Sequence, residues 1–217
     1  MKKEKNNWYM HVREKLPVRR TVTTRNPTGK NWSEHKPDLQ KDFNNCCGYC
    51  DSYDGFRHTY FEVDHFIPKS LFEKKKNIGY CQYDNLTYSC KYCNNNKGSK
   101  WPTNDETIPN SNGEGFVDAC SKEYEDHLYR TSSGSIMWKS PLGKWMATKA
   151  FKFDERQRSI IVLWNLNELR KIIDALIVEQ KKFKIGDGTF EKIKEKLGNY
   201  TLKYFIYHQE LMDYYNE

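Results

Sequence analysis

The chain lacks any long hydrophobic run. Its mean hydropathy is −0.96, and no apolar stretch approaches 18 residues, which excludes a transmembrane helix. The basic start, MKKEKNNWYMHVREK, has no apolar stretch behind it and so does not have the pattern of a secretory signal. We therefore expect a cytoplasmic protein that does not contact a membrane.

The chain also has no internal repeat, and its low-complexity content is limited to the short Lys74–Lys76 run. It contains no P-loop pattern, so any ATP chemistry must come from another protein. Disorder is excluded by the aromatic content, since fifteen Tyr and six Trp are typical of a packed core. A length of 217 residues fits one good-sized domain, or a small domain with a helical extension.

Positive charge is concentrated near the N-terminus. Residues 1–36 hold ten Lys and Arg against three Glu, so this segment accounts for the net charge of +7 and the remainder is formally neutral. Trp8, Tyr9 and Trp32 lie among these charges, a mixture that suits a polyanion surface. We predict that Arg19 and Arg20 contact nucleic acid; the alternative is an ordinary solvated basic face.

Seven cysteines in a chain with no export signal indicate metal ligands or buried thiols rather than disulfides, and their odd number agrees. Four of them form two CxxC pairs, Cys47–Cys50 and Cys90–Cys93. Two such turns complete a tetrahedral Zn²⁺ site that has no open position and is therefore structural. Cys46 could replace Cys47, but it lacks the two-residue spacing to Cys50. Cys81 and Cys120 are interpreted as small buried hydrophobic residues.

The patterning predicts four regions. They are a basic extended arm at 1–36, a compact zinc-stapled core at 37–118, a hairpin and connector at 119–150, and a helical region at 151–217. Within the core we expect a short helix at 38–43 and a loop at 101–118. Residues 127–140 read as a hairpin around a Ser-Gly-Ser turn.

The apolar spacing becomes helical from Asp154, which is a plausible N-cap. That helix should continue to about Phe183 and be broken by glycines at 186 and 188. A second helix begins near Thr189, and Gly198 is a candidate interruption.

The stretch FEVDHFIPKS, residues 61–70, reads as a strand that carries Asp64 and His65 near its end and is stopped by Pro68. In a regular strand these two side chains point to opposite faces, so they can share a site only where the strand ends or bulges. The same alternation puts Glu62 on the side of Asp64, where it becomes a weaker candidate ligand or supporting residue.

An ordered set of residues surrounds this strand: Asp64-His65, Pro68, Asn85-Leu86, and Cys93-Asn94 followed by Lys97-Gly98, between matched CxxC pairs. The set resembles the HNH endonuclease family, whose fold is called ββα-metal, over roughly residues 43–100. The resemblance implies an α+β fold, with a zinc-stapled ββα-metal HNH core between the basic arm and the C-terminal helical region.

The resemblance also implies roles for the residues. His65 would be the general base, which suits an imidazole with a pKa near 6.5. Asp64 and Asn94 would hold a catalytic Mg²⁺ or Mn²⁺ through hard oxygen atoms, with Asn95 and Asn96 as adjacent alternatives to Asn94. Asn85 would hold the loop that orients the base.

We predict that Lys69, Lys97 and Lys100 flank the site and contact phosphates. The expected activity is metal-dependent hydrolysis of DNA, with duplex DNA the favoured substrate, although single-stranded DNA and RNA stay open. The motif is similar to stand-alone HNH proteins of anti-phage systems, such as the Septu and retron-associated nucleases, which work beside an ATPase partner. Two alternatives are a non-catalytic zinc-dependent nucleic-acid-binding module and an adaptor subunit.

Overall fold

A computed structural model describes residues 11–13 and 15–216 of the chain. Trp8 and Tyr9 of the predicted arm lie outside the described residues. The chain forms two compact units, one ending at Arg156 and the other beginning at Gln157.

The centre of the first unit is a two-stranded antiparallel sheet followed directly by a helix. Strand β1, Phe61–His65, pairs with β2, Leu86–Cys90, so that Phe61 lies opposite Cys90 and His65 opposite Leu86. Helix α3, Lys91–Lys97, begins immediately after β2. This order of strand, strand and helix confirms the predicted α+β fold with a ββα core.

Shorter elements surround this core. They are α1 (Lys36–Asp42), α2 (Lys69–Lys75), β3 (Asn110–Ser111), β4 (Glu114–Gly115), α4 (Tyr124–His127), β5 (Leu128–Arg130), β6 (Ile136–Trp138), α5 (Pro141–Trp145) and a π-helical turn (Met146–Ala150). The predicted short helix is confirmed as α1, and the predicted hairpin is confirmed by the antiparallel pairing of β5 with β6. The expected loop at 101–118 contains the small β3–β4 pair, which is too short to show a period-2 pattern in the sequence.

Aromatic rings fill much of the interior of the first unit. Phe116 is fully buried and stacks on Trp101 with 5.8 Å between ring centroids, while Phe66 meets Trp101 edge-on at 5.4 Å. Phe66 lies next to the end of β1, so this packing fixes the point where the strand turns away.

The basic N-terminal segment is tied into the first unit. Arg13 is 5% exposed and donates to the carbonyl oxygens of Ala119 and Gly48, each over 2.8 Å. Arg19 contacts Asp118 at 2.9 Å, and Arg20 contacts Asp42 at 2.8 Å.

These contacts differ from the extended, nucleic-acid-binding arm that the sequence predicted for Arg19 and Arg20. A carboxylate faces each guanidinium, because a partly buried charge needs a partner. Their charge is therefore compensated within the protein. A count of charges along the chain could not reveal these pairings, which join positions 18 to 99 residues apart.

The second unit is a helical hairpin of α6, Arg158–Gln180, and α7, Gly188–Asn216. The two helices are antiparallel, since Arg158 at the start of α6 binds Glu210 near the end of α7 at 2.6 Å. Helix α6 starts later than expected, because Asp154 lies in a 3-10 turn and Gln157 takes the N-cap position.

Gly198 does not interrupt α7, since one glycine inside a helix costs only about 1 kcal/mol. Among the described helices, none combines the length and apolar content that crossing a membrane requires.

Candidate active site

An open cavity of ≈ 420 Å³ lies along β1. Its lining includes four residues that the sequence predicted for the site, Asp64, His65, Lys69 and Asn94. Glu62, the weaker candidate, also lines it. The other side of the cavity is formed by the 3-10 turn Trp32–His35 and the first residue of α1. The fold thus brings β1, α2 and α3 to one place.

His65 has a defined tautomer. Its Nε2 lies 2.8 Å from the carbonyl oxygen of Tyr80, and because a carbonyl can only accept, Nε2 carries the proton. The neutral ring therefore keeps its lone pair on Nδ1. Burial lowers the pKa of His65 below 6.5, although the Tyr80 carbonyl and Asp64 oppose that change. The ring is consequently uncharged and able to accept a proton at neutral pH.

Asp64 is held by one of its two oxygen atoms. Oδ2 accepts from the Tyr49 hydroxyl at 2.6 Å and lies 3.1 Å from the Lys97 ammonium. Among the described residues both contacts go to Oδ2, so Oδ1 is left for an ion. Tyr49 lies inside the first CxxC turn, and no sequence pattern indicates its contact with Asp64.

Lys97 occupies a different place from the one predicted. Its side chain is fully buried, and its ammonium also donates to the backbone carbonyl of His65 at 2.7 Å. It supports Asp64 and His65 from inside the protein and has no exposed surface that could contact a phosphate.

Asn94 is oriented by Glu62. The Asn94 Nδ2 donates to Glu62 Oε2 over 2.8 Å, and since a carboxylate only accepts, the amide nitrogen must be the atom that faces Glu62. The carbonyl oxygen of Asn94 is then the atom left for a cation. Asn95 is exposed, Asn96 donates to the carbonyl of Tyr92, and neither lines the cavity.

The donor set fits Mg²⁺ or Mn²⁺. One carboxylate oxygen from Asp64 and one amide oxygen from Asn94 are hard ligands, and so few protein ligands leave room for waters and substrate. Asp64 and His65 make contacts with different elements, as strand alternation predicts. Both nevertheless line one cavity, as do the other three residues of β1.

Asn85 joins the two ends of the segment between the strands. Its Oδ1 accepts from the Ile67 backbone N–H at 2.8 Å, and its own carbonyl accepts from Phe66 N–H at 2.8 Å. The turn after His65 is thereby attached to the start of β2.

The four cysteines of the CxxC pairs converge in the interior. All four are buried, and their Sγ atoms lie within 4.8 Å of one another. Tetrahedral zinc with Zn–S bonds of 2.3 Å requires sulfur atoms about 3.8 Å apart. The Cys50 and Cys90 sulfurs are 3.8 Å apart, so the group fits zinc as it stands. Cys46 is not a member of this group.

Arg156 completes the zinc group and was missed from the sequence. Its guanidinium donates to Cys93 Sγ at 3.5 Å and lies over the Tyr92 ring at 4.6 Å. Burial opposes its charge, but the neighbouring cysteines raise the pKa of Arg156 well above its usual value. The cation thus offsets the negative charge of the thiolates. It lies 63 residues from Cys93, and no local pattern could have identified it.

The remaining predicted lysines are at the surface. Lys69 is exposed and lines the cavity, with its ammonium 4.6 Å from the centre of the Trp32 ring. Lys100 is exposed beyond α3, is not among the residues lining the cavity, and donates to the carbonyl of Asn96.

Comparisons with known proteins agree with this geometry. A sequence model of the HNH endonuclease family matches residues 47–100, which contain both cysteine pairs and the cavity residues of β1 and α3. The Septu protein PtuB of Bacillus mycoides (strain KBAB4) is 29% identical over 196 residues, which cover 82% of this chain and 60% of that protein. No solved structure matches the chain. Residues 47–100, which hold both cysteine pairs and the cavity residues of β1 and α3, are thus similar to the HNH endonuclease family.

Proposed function

We propose that this protein is a metal-dependent endonuclease that hydrolyses phosphodiester bonds of DNA in the cytoplasm. The observation that carries the proposal is the 2.8 Å contact between His65 Nε2 and the Tyr80 carbonyl oxygen, which assigns the lone pair of the neutral ring to Nδ1. A neutral imidazole with its lone pair on Nδ1 lines the same cavity as two oxygen ligands, Asp64 and Asn94. A base beside a divalent-cation site is the arrangement that phosphodiester hydrolysis requires.

In this mechanism His65 Nδ1 takes the proton of the water that attacks the phosphorus atom. Its Nε2–H stays bonded to the Tyr80 carbonyl, which holds the ring in place as the positive charge develops. Asp64 and Asn94 would hold Mg²⁺ or Mn²⁺, which supplies stabilisation of negative charge on the phosphoryl and leaving oxygens. The four cysteines would hold a structural zinc that fastens the end of β2 and the start of α3 to the first CxxC turn.

We further propose a role in anti-phage defence with an ATPase partner. The support is the likeness to a protein named for the Septu system, together with the resemblance to nucleases that act beside ATPases. Helix α7 exposes Leu202, Phe205 and Ile206, each more than half accessible, and this is the first surface to test for such a partner.

Plasmid nicking tests the enzymatic proposal. Wild type, His65→Ala and the control His208→Ala, which alters an exposed residue of α7, are compared with Mg²⁺, with Mn²⁺ and with EDTA. We expect cutting by wild type and by His208→Ala, and none by His65→Ala or in EDTA. Cutting that survives in His65→Ala would show that another group is the base. DNA binding without cutting under any metal would favour the non-catalytic zinc-dependent binding module.

A further inference from the structure

Two aromatic rings lie beside the general base. Trp32, at the start of the 3-10 turn before α1, is stacked on Tyr80 with 5.8 Å between centroids and an interplanar angle of 18°. The Trp32 ring also meets the His65 ring edge-on at 5.0 Å, and it lines the cavity. A flat group stacked on this aromatic pair would therefore lie next to the proposed base.

Three lysines surround these rings. The ammonium of Lys69 lies over Trp32 and that of Lys30 lies 5.1 Å from the centre of the Tyr80 ring, while Lys36 lines the same cavity. All three are exposed, and within residues 11–13 and 15–216 none of them forms an ion pair. Their charge is available to an incoming polyanion, in contrast to that of Arg19 and Arg20.

The dimensions favour one nucleotide. A volume of ≈ 420 Å³ lies within the range of sites that take a single small ligand, about 300 to 1,000 Å³. Of the two carboxylates in the lining, Glu62 is bonded to Asn94 and Asp64 to Tyr49 and Lys97. Trp32, Lys36 and Lys69 make part of the lining aromatic and cationic, a combination that binds single-stranded nucleic acid by base stacking and phosphate contact.

We propose that Trp32 is a stacking platform for one unpaired base beside the bond that is cut, with Lys36 and Lys69 on the adjoining phosphates. The substrate class is then DNA that is single-stranded, or locally unpaired, at the cleavage point, rather than the regular duplex expected from the sequence. This inference rests on the proposed nuclease function, because it places the base next to His65.

The test measures binding without cutting. A fluorescent single-stranded oligodeoxynucleotide and its duplex are titrated with the zinc-loaded full chain without added Mg²⁺ or Mn²⁺, and anisotropy gives each dissociation constant. Stacking of one base is worth about 1–3 kcal/mol, so Trp32→Leu should weaken single-strand binding about fivefold to about a hundredfold. Trp32→Phe should retain most of it, and duplex binding should be unchanged in both variants.

The lysines have matched controls on the same helices. Lys36→Ala and Lys69→Ala should each reduce the slope of log K against log[salt] by about 0.7 for the single strand. Lys41→Ala in α1 and Lys74→Ala in α2 change exposed lysines that do not line the cavity, and they should leave the slope unchanged. If Trp32→Leu unfolds at a lower temperature than wild type, Trp32→Phe and the lysine pairs decide the result.

A single-strand dissociation constant that is unchanged in Trp32→Leu would overturn the inference. So would an equal weakening of single-strand and duplex binding in that variant. So would equal slopes for the Lys36→Ala and Lys41→Ala variants. Nicking assays on the same wild-type preparation separate this result from the nuclease proposal. Binding that depends on Trp32 without any cutting would support the stacking platform and contradict the nuclease proposal. Cutting with binding that does not depend on Trp32 would support the nuclease proposal and contradict the platform.

Discussion

The side-chain amide of Asn94 donates to Oε2 of Glu62 over 2.8 Å, so the carboxylate decides which end of the amide is offered to a cation. Residues behind a metal ligand typically change metal affinity by about 10-fold to 100-fold when they are removed. The identity of the ligand atom at Asn94 thus depends on a neighbour that itself need not touch the ion.

Glu62→Gln should weaken Mn²⁺ binding by about tenfold or more, because a glutamine can donate as well as accept and no longer fixes the Asn94 amide. Titration of the zinc-loaded protein with Mn²⁺, followed by electron paramagnetic resonance, measures this without any cutting. Glu123→Gln, an exposed change on another element, is the control. An unaltered Mn²⁺ affinity in Glu62→Gln would show that Asn94 is oriented by other contacts or is not a ligand.

Lys97→Met should destabilise the protein by about 3–5 kcal/mol, because it leaves the Asp64 carboxylate buried without its cation. Adding Asp64→Asn should recover much of that loss, since the unpaired charge is then gone. Urea unfolding of wild type, both single variants and the double variant gives the coupling energy. Strictly additive losses of unfolding free energy would show that the Asp64–Lys97 pair contributes little to stability. The double variant should be inactive in either case.

Cys47→Ser should abolish stoichiometric zinc, and Cys46→Ser should retain one zinc per chain. The two sites are adjacent and buried, but only Cys47 belongs to the group of converging sulfurs. Structural zinc supplies about 10–16 kcal/mol of apparent binding free energy in small domains, so Cys47→Ser is expected to be largely unfolded. Metal analysis of the purified proteins checks the stoichiometry. Retention of zinc by Cys47→Ser would reassign the ligand to Cys46.

The carboxylates around Arg20 should make the protein sensitive to acid. Burial opposes the change, but hydrogen bonds from Thr24 hold the pKa of Asp38 below 3.8, and those from Arg20 and Tyr83 do the same for Asp42. A lowered folded-state pKa gives stability that is complete above the unfolded value near 3.8 and is lost as the pH falls through the folded value.

Asp42→Asn should therefore cost about 2 kcal/mol of unfolding free energy at pH 7 and progressively less below pH 4. Urea unfolding of the variant and wild type across this range measures the difference. A gap between the two proteins that stays constant with pH would mean that the charge of Asp42 is not what stabilises the segment.

Features that depend on local spacing were predictable from the sequence. The two CxxC turns bring their own thiols together, and the Asp64-His65 pair at a strand end, with Asn94 just after Cys93, identified the residues that line the cavity. Contacts made by tertiary packing were not predictable. Nothing near Trp32 in the chain indicates that it meets His65, and nothing in the charge pattern indicates that Lys97 is buried while Lys69 is exposed.

Cys93 and Asn94 are neighbours in α3, so a thiol of the zinc group and the proposed catalytic ligand share one turn of helix. A newly synthesised chain that has not yet acquired zinc would carry Asn94 on a helix that lacks its cysteine anchor and keeps only side-chain contacts such as that of Lys97 with Asp64. Competence to cut DNA would then arise only after metal loading, and the supply of zinc in the cell would set how soon each new molecule becomes dangerous to DNA.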